Sequence, residues 1–274
     1  YKPARWLSIG SFGFQTSDLA RFSIIIYMAY YVDRKRKKLE NMQNGLIPAL
    51  FVLFLIMSLI IIQPDYSTAI MIGFLGMIIL FIGGAKLSQL SLTCSCALLI
   101  GIPVLLSREY RRQRVLSFFG VGDNPDVGYQ AHQSLISLGN GGLLGTGLGN
   151  SIEKNHFLPT PHTDFIFAII GEELGFLLGT VPVITLFLLI FFQGIKIAKN
   201  CNDPFGVFLS VGIVSNFILY AFVNAAVVTG LLPVTGLPMP MVSYGGSGMI
   251  INMSLIGVLL NISQGKKIIG DRVW

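Results

Sequence analysis

Asp164 stands between a proline-marked loop and a strongly apolar run, in FLPTPHTDFIFAIIGEELG from Phe157 to Gly175. A carboxylate at the edge of an apolar segment is suited to general-base work. Glu172 and Glu173 follow eight and nine residues later, or ~12–14 Å along a helix. Ionisable groups inside a span are costly and are functional candidates by default. The bland reading is equally open: an aspartate in the first turn of a helix gains ~0.3–1 kcal/mol from the dipole, and Thr163 or Asp164 can cap free amides.

Other charges repeat the theme. Asp18 and Arg21 are three residues apart and share a helical face, as a structural ion pair or as a pair that orients a substrate. Asp65, in QPDYSTA, follows Pro64 and precedes Ser67 and Thr68, the pattern of a helix cap. REYRRQR, from Arg108 to Arg114, carries four arginines in seven residues. Such a cluster pairs with anionic lipid heads or clamps a diphosphate, because a guanidinium presents paired donors to phosphate oxygens. One chemistry unites these groups: an acceptor hydroxyl attacks a sugar carbon whose leaving group is a lipid diphosphate. Asp164 would take the proton, while Arg112 and Arg114, or a divalent cation such as Mg or Mn, stabilise the departing charge. A diphosphate leaves without a strong acid, so one carboxylate suffices where an inverting glycosidase needs two.

The elements that must position these residues are membrane helices. Hydrophobic residues make up 53% of the chain and charged residues 12%, with a mean hydropathy of +0.72, far from soluble composition. Strand-like alternation is absent, so helices are the means of satisfying the backbone in lipid. Seven spans are expected, at about 17–32, 46–63, 67–84, 88–106, 164–192, 206–229 and 247–264, each near the ~20 residues that cross a bilayer. The fold class is thus an all-α polytopic bundle, read as one membrane domain over residues 1–274. Placing Arg34 to Lys38 in the cytoplasm puts eleven of the 19 Lys and Arg on that side and seven on the other. The long connection 107–163 and Asp164 then face outward. That connection exceeds ordinary loop length and holds Tyr129, Leu135, Ile136, Leu143 and Leu144, as expected of a folded cap on the membrane. Gly145, Gly147 and Gly149 lack the strand–turn–helix context of a phosphate loop. The segment Leu231 to Gly248 either lines a cavity or forms a tight hairpin. Cys94, Cys96 and Cys201 form no disulfide or metal framework, and no metal-ligand set is expected. The chain begins at Tyr1 without a signal-peptide pattern and is expected to be part of a longer protein.

RWLSIG (5–10), FQTSDLAR (14–21), QPDYSTA (63–69), RQRV (112–115), GYQAHQS (128–134), the Asp164 stretch and GLPMPMVSYGGSG (236–248) resemble, in order, the shape, elongation, division and sporulation (SEDS) family. The resemblance covers essentially the whole chain and implies ten spans in a complete member, of which these are the last seven. GLGNS (147–151) and GEELG (171–175) resemble the division-type branch. It implies a peptidoglycan glycosyltransferase in the bacterial cytoplasmic (inner) membrane that polymerises lipid II on the outer face. The expected partners are lipid II, an undecaprenyl-diphosphate-linked glycan, a class B penicillin-binding protein with transpeptidase activity and other cell-division proteins, with no nucleic acid. It places the essential aspartate on Asp164 and substrate contacts on Arg5, Asp18, Arg21, Arg112, Arg114, His162, Thr163 and Ser243. Departures are present: Thr16, Asp18 and Arg21 replace the usual proline, glutamate and lysine, and Thr160 stands where the family has glutamate. A lipid II flippase and a non-catalytic divisome scaffold are the competing readings.

Overall fold

The computed structural model describes residues 6–9, 12–121, 125–155 and 157–270. Among them, β1 (Trp6–Ile9) and β2 (Phe12–Gln15) form an antiparallel hairpin that leads into α1 (Thr16–Lys35). The hairpin departs from the all-helical expectation; Leu7 stands opposite Phe14 and Trp6 opposite Gln15. Nine further helices follow: α2 (Ile47–Ile62), α3 (Tyr66–Ile82), α4 (Leu87–Leu106), α5 (Glu109–Phe118), α6 (Pro125–Gly141), α7 (Ile166–Gly175), α8 (Val181–Asn200), α9 (Pro204–Val228) and α10 (Gly246–Gly270). Each of the seven expected spans coincides with a helix or, for 164–192, with a pair of helices. Five described segments are long and apolar enough to cross a membrane; α3 has 17 residues, and α1 carries Asp18, Arg21, Asp33, Arg34 and Lys35. The chain is a multi-pass membrane protein.

The contacts divide the chain into two compact units. Unit 1 comprises Tyr1–Cys96, Ile190–Ile218 and Gly245–Trp274. Its core joins Ile24, Ile25, Met28, Ala29 and Val32 of α1 with Leu53 of α2 and Ile72, Leu75 and Ile79 of α3, all buried. Such sequences are apolar nearly all round, so period alone does not select the inner face. Small residues do: a Cβ at Gly76 would stand 2.7 Å from the Leu53 side chain, so glycine sets the closeness of α2 and α3. The start of α2 is continuous with a π turn, Met42–Leu46, whose Gly45 carbonyl accepts from Tyr31 Oη of α1 at 2.7 Å.

Unit 2 comprises Ala97–Leu189 and Leu219–Tyr244. The long connection is folded, as expected of a cap: α5 and α6 lie within it, and α6 packs on α7 with Leu138 against Gly171. Ser134 Oγ of α6 donates to the Val228 carbonyl at the end of α9 at 3.0 Å. The expected span at 164–192 is not one helix. α7 stops at Gly175, whose φ of 77° and ψ of −177° belong to a region essentially reserved for glycine. A π turn, Phe176–Thr180, then leads into α8, which runs to Asn200. The break comes from that one backbone conformation, which apolar periodicity does not report.

Candidate active site

Asp164 lies one residue outside the N-cap position of α7. That position falls on Phe165, which makes no side-chain cap, and no acid stands in the first turn. The carbonyls of three successive residues here are each held by a different donor. Tyr244 N donates to His162 O at 2.9 Å, Ser243 Oγ to Thr163 O at 2.6 Å and Asn224 Nδ2 to Asp164 O at 2.7 Å. Asn224, almost fully buried on α9, also donates to Leu237 O at 2.8 Å. Ser243 Oγ accepts from Met239 N at 2.8 Å, so this hydroxyl, expected as a substrate contact, clasps two backbone segments. The Thr163 hydroxyl closes the local turn by donating to Thr160 O at 3.3 Å, and Thr160 has a φ of +52°.

The segment between α9 and α10 is irregular and carries the other wall. Gly236, at φ +73°, faces the carboxylate: a Cβ there would stand 3.5 Å from Asp164 Oδ2. Of the two readings open for this segment, a tight hairpin does not describe it, because its backbone is tied in sequence to α5, α9 and the Asp164 loop. The α5 tie is Arg114, whose Nη1 donates to Val234 O at 3.2 Å. Asp164 and Arg114 thus meet the same short stretch, 234–237. Arg112 behaves differently. It pairs with Glu109 at 2.8 Å with both side chains more than half exposed, a surface pair of the kind worth ~0–1 kcal/mol. His162 and Tyr244 are exposed.

Asp18 and Arg21 belong to unit 1, where they form the expected ion pair at 3.3 Å. Arg21 Nη2 also donates to Asn252 Oδ1 of α10 at 3.3 Å, and Ser247 Oγ donates to Asp18 Oδ2 at 3.3 Å. Asp65 caps α3 by accepting from Thr68 N at 3.4 Å, as its sequence position indicates, and its other oxygen accepts from Ser17 Oγ at 3.1 Å and Gln15 Nε2 at 3.3 Å. Two carboxylates and one guanidinium are thereby enclosed among hydroxyls and amides, as buried charges require. Arg5 lies outside the described residues.

Glu172 and Glu173 turn out to be fasteners of the outer connection. The fully buried Glu172 carboxylate accepts from Ser137 Oγ (2.9 Å), Ser151 Oγ (2.6 Å), Ile152 N (3.0 Å) and Glu153 N (3.5 Å). Glu173 pairs with Lys154 at 2.6 Å. Burial, and then the neighbouring Glu172 charge, push the Glu153 carboxyl above the usual glutamate value. Sequence reasoning passed over Asn224 and Asn252. Their one signal is an amide within an otherwise apolar span, where polar groups seek partners.

The fold and site define a polytopic helical membrane protein with an aspartate fixed at a helix start beside an arginine-bearing connection. The cell cycle protein family model, FtsW/RodA/SpoVE, matches residues 3–268. A probable peptidoglycan glycosyltransferase FtsW of Geobacter sulfurreducens is 39% identical over 261 residues, covering 95% of this chain and 70% of the relative. Stage V sporulation protein E of Bacillus subtilis is 37% identical, covering 94% and 71%. Among solved structures, a chain of a peptidoglycan synthase complex, described for its coordination of polymerization and crosslinking, superposes with a TM-score of 0.75 at 25% identity, over 95% of this chain and 73% of that one. The rod shape determining protein RodA of Thermus thermophilus shares the fold, with a TM-score of 0.61 at 24% identity over 96% and 70%. This chain belongs to the FtsW/RodA/SpoVE family of cell cycle proteins.

Proposed function

We propose that this protein is a peptidoglycan glycosyltransferase that polymerises lipid II at the outer face of the cytoplasmic membrane, with Asp164 as the general base. The observation that carries the reading is the fixation of the Asp164 backbone by Asn224 and, through its neighbours, by Ser243 and Tyr244. A base must be held within hydrogen-bond reach of the proton it removes, and three separate bonds on consecutive carbonyls serve that need.

In the proposed step the C4 hydroxyl of the acceptor lipid II attacks C1 of the muramic sugar at the lipid-linked end of the growing chain. Asp164 accepts the hydroxyl proton, the new glycosidic bond forms, and the C1–oxygen bond to undecaprenyl diphosphate breaks with inversion. Arg114, held at Val234 O, is the guanidinium best placed to meet the departing charge, with Arg112 on the exposed side of the same helix. Among the described residues no three His, Cys, Asp or Glu side chains gather to hold a metal ion. A divalent cation at the diphosphate would be held chiefly by phosphate oxygens with one or two carboxylates, for which Asp164 is the candidate, and no step is routed through such a cation.

The likeness to FtsW relatives supports a role in cell division, and the likeness to a chain of a peptidoglycan synthase complex supports a class B penicillin-binding protein as partner. The test is polymerisation of lipid II by purified protein in proteoliposomes. Asp164→Asn should lower the rate by roughly 10²–10⁴-fold with an unchanged melting temperature. A wild-type rate removes Asp164 from the mechanism, whereas lipid II translocation without polymer turns the reading toward transport.

A further inference from the structure

The apolar run Ile166–Asn200, shared by α7, the π turn and α8, has 35 residues, and as unbroken helix would measure about 52 Å at ~1.5 Å per residue. That is far more than the ~30 Å of hydrocarbon it has to cross. Lys196 and Lys199 lie in the last turns of α8, where long basic side chains mark the membrane edge. Counting back from Ile195, twenty residues and hence about 30 Å end at Phe176. The opposite bilayer boundary therefore falls at the break after Gly175. On this reckoning α7, with Glu172 and Glu173, stands in the head-group layer and beyond rather than in the hydrocarbon.

The height of the adjacent turn is fixed by hydrogen bonds. Thr146 N and Gly147 N donate to the last α7 carbonyls, Glu172 O at 2.9 Å and Glu173 O at 3.0 Å. Phe176 N and Leu177 N, just past the break, donate to Gly142 O at 2.9 Å and Leu143 O at 3.0 Å. The free groups of a broken helix are thus satisfied by this turn, as non-helical backbone at a membrane edge demands. Its side chains are the reverse of satisfied. Leu143, Leu144 and Leu148 on the turn, and Phe176, Leu177 and Leu178 beside it, are all between 50% and 77% exposed. Scattered exposed leucines need no explanation, but a patch of this extent marks a surface made to be covered.

We propose that the 142–148 turn is a membrane-interface anchor, with these leucines inserted at the acyl and head-group boundary of the leaflet in which α8 begins. Lipid is the occupant the geometry favours. The patch lies at that boundary, continues into the exposed apolar face of α8 at Leu186, and has its backbone hydrogen-bonded to the ends of the broken helix. Insertion would hold the Asp164-bearing end of unit 2 at a constant height relative to the lipid surface.

The test places single cysteines at Leu144 and Leu148 in a chain carrying Cys94→Ser, Cys96→Ser and Cys201→Ser, each labelled with a polarity-sensitive fluorophore. The purified protein is reconstituted in phosphatidylcholine vesicles, plain or brominated near the glycerol end of the acyl chains. Val181→Cys, exposed near the start of α8 and about 8 Å past Phe176 at ~1.5 Å per residue, supplies the reference for full quenching. Both turn positions should show blue-shifted emission and a loss of intensity in brominated vesicles close to that reference. Water-like emission that is equal in the two kinds of vesicle, from protein with a cooperative thermal transition, overturns the proposal and leaves this face to a protein partner. Leu148→Cys guards against a local folding defect at Leu144, because the two side chains belong to different parts of the turn.

Discussion

A few polar side chains do work here that their neighbours cannot replace. Asn224 joins the Asp164 and Leu237 carbonyls from within an apolar helix. Asn224→Ala leaves both acceptors without this donor, a loss of ~1–3 kcal/mol for each buried group left unpaired. Polymerisation should fall more steeply than thermal stability, because the displaced segment carries the base; parallel rate and melting measurements check this. Glu172 anchors the outer connection by accepting from two hydroxyls and two amides. Glu172→Gln turns one acceptor into a donor among donors and should cost ~1–3 kcal/mol, read as a lower melting temperature. Glu153 behaves in the opposite sense. Burial first, and then Glu172, raise its carboxyl above the ordinary 4.5, so the folded protein holds this proton more tightly than the unfolded chain. Its contribution to stability is complete below pH 4.5 and is lost as pH rises through the folded value. Glu153→Gln should therefore melt higher than wild type at neutral pH, and the gap should close in acid; melting curves across pH decide it.

At the scale of elements, the decisive feature is the break between α7 and α8. Gly175 has a conformation that side chains resist, and a Cβ there would meet Gly145 N, Leu144 C and Leu143 O. Gly175→Ala adds backbone strain of ~1–3 kcal/mol to a collision with backbone that cannot rotate away. The expected result is release of the 142–147 turn, seen as faster limited proteolysis there together with a lower melting temperature. Apolar residues are nearly continuous across 164–192, the pattern of a single span. Continuity of hydropathy says where a chain is greasy, and one glycine dihedral says where it stops being a helix. Asp65 was legible as a cap for the complementary reason: capping depends on residues three apart in the chain, and local spacing is what a sequence records directly.

For the molecule as a whole, charge enclosed among helices sets the stakes. In unit 1 Arg21 faces Asp18 and Asn252. Arg21→Met removes the cation and leaves a carboxylate without its partner, at a cost of ~3–5 kcal/mol. Adding Asp18→Asn to that variant should recover much of the loss, and a double-mutant cycle of melting temperatures measures how much. The sequence by itself determined the class of protein, since 53% hydrophobic residues in runs near span length admit only membrane helices. It also determined the Asp18–Arg21 pair, the folded nature of the 107–163 connection and the candidacy of Asp164, because each follows from residue type and near-neighbour spacing. Only the tertiary structure decided that Asp164 is held by Asn224, sixty residues further on, that Ser243 clasps backbone, and that Glu172 fastens a loop. Those partners meet through the packing of distant helices, and an apolar sequence contains no periodic signal that would name them. The break at Gly175 belongs with them: the loop that satisfies it arrives from thirty residues earlier in the chain, and hydropathy cannot report which distant backbone will fill a gap.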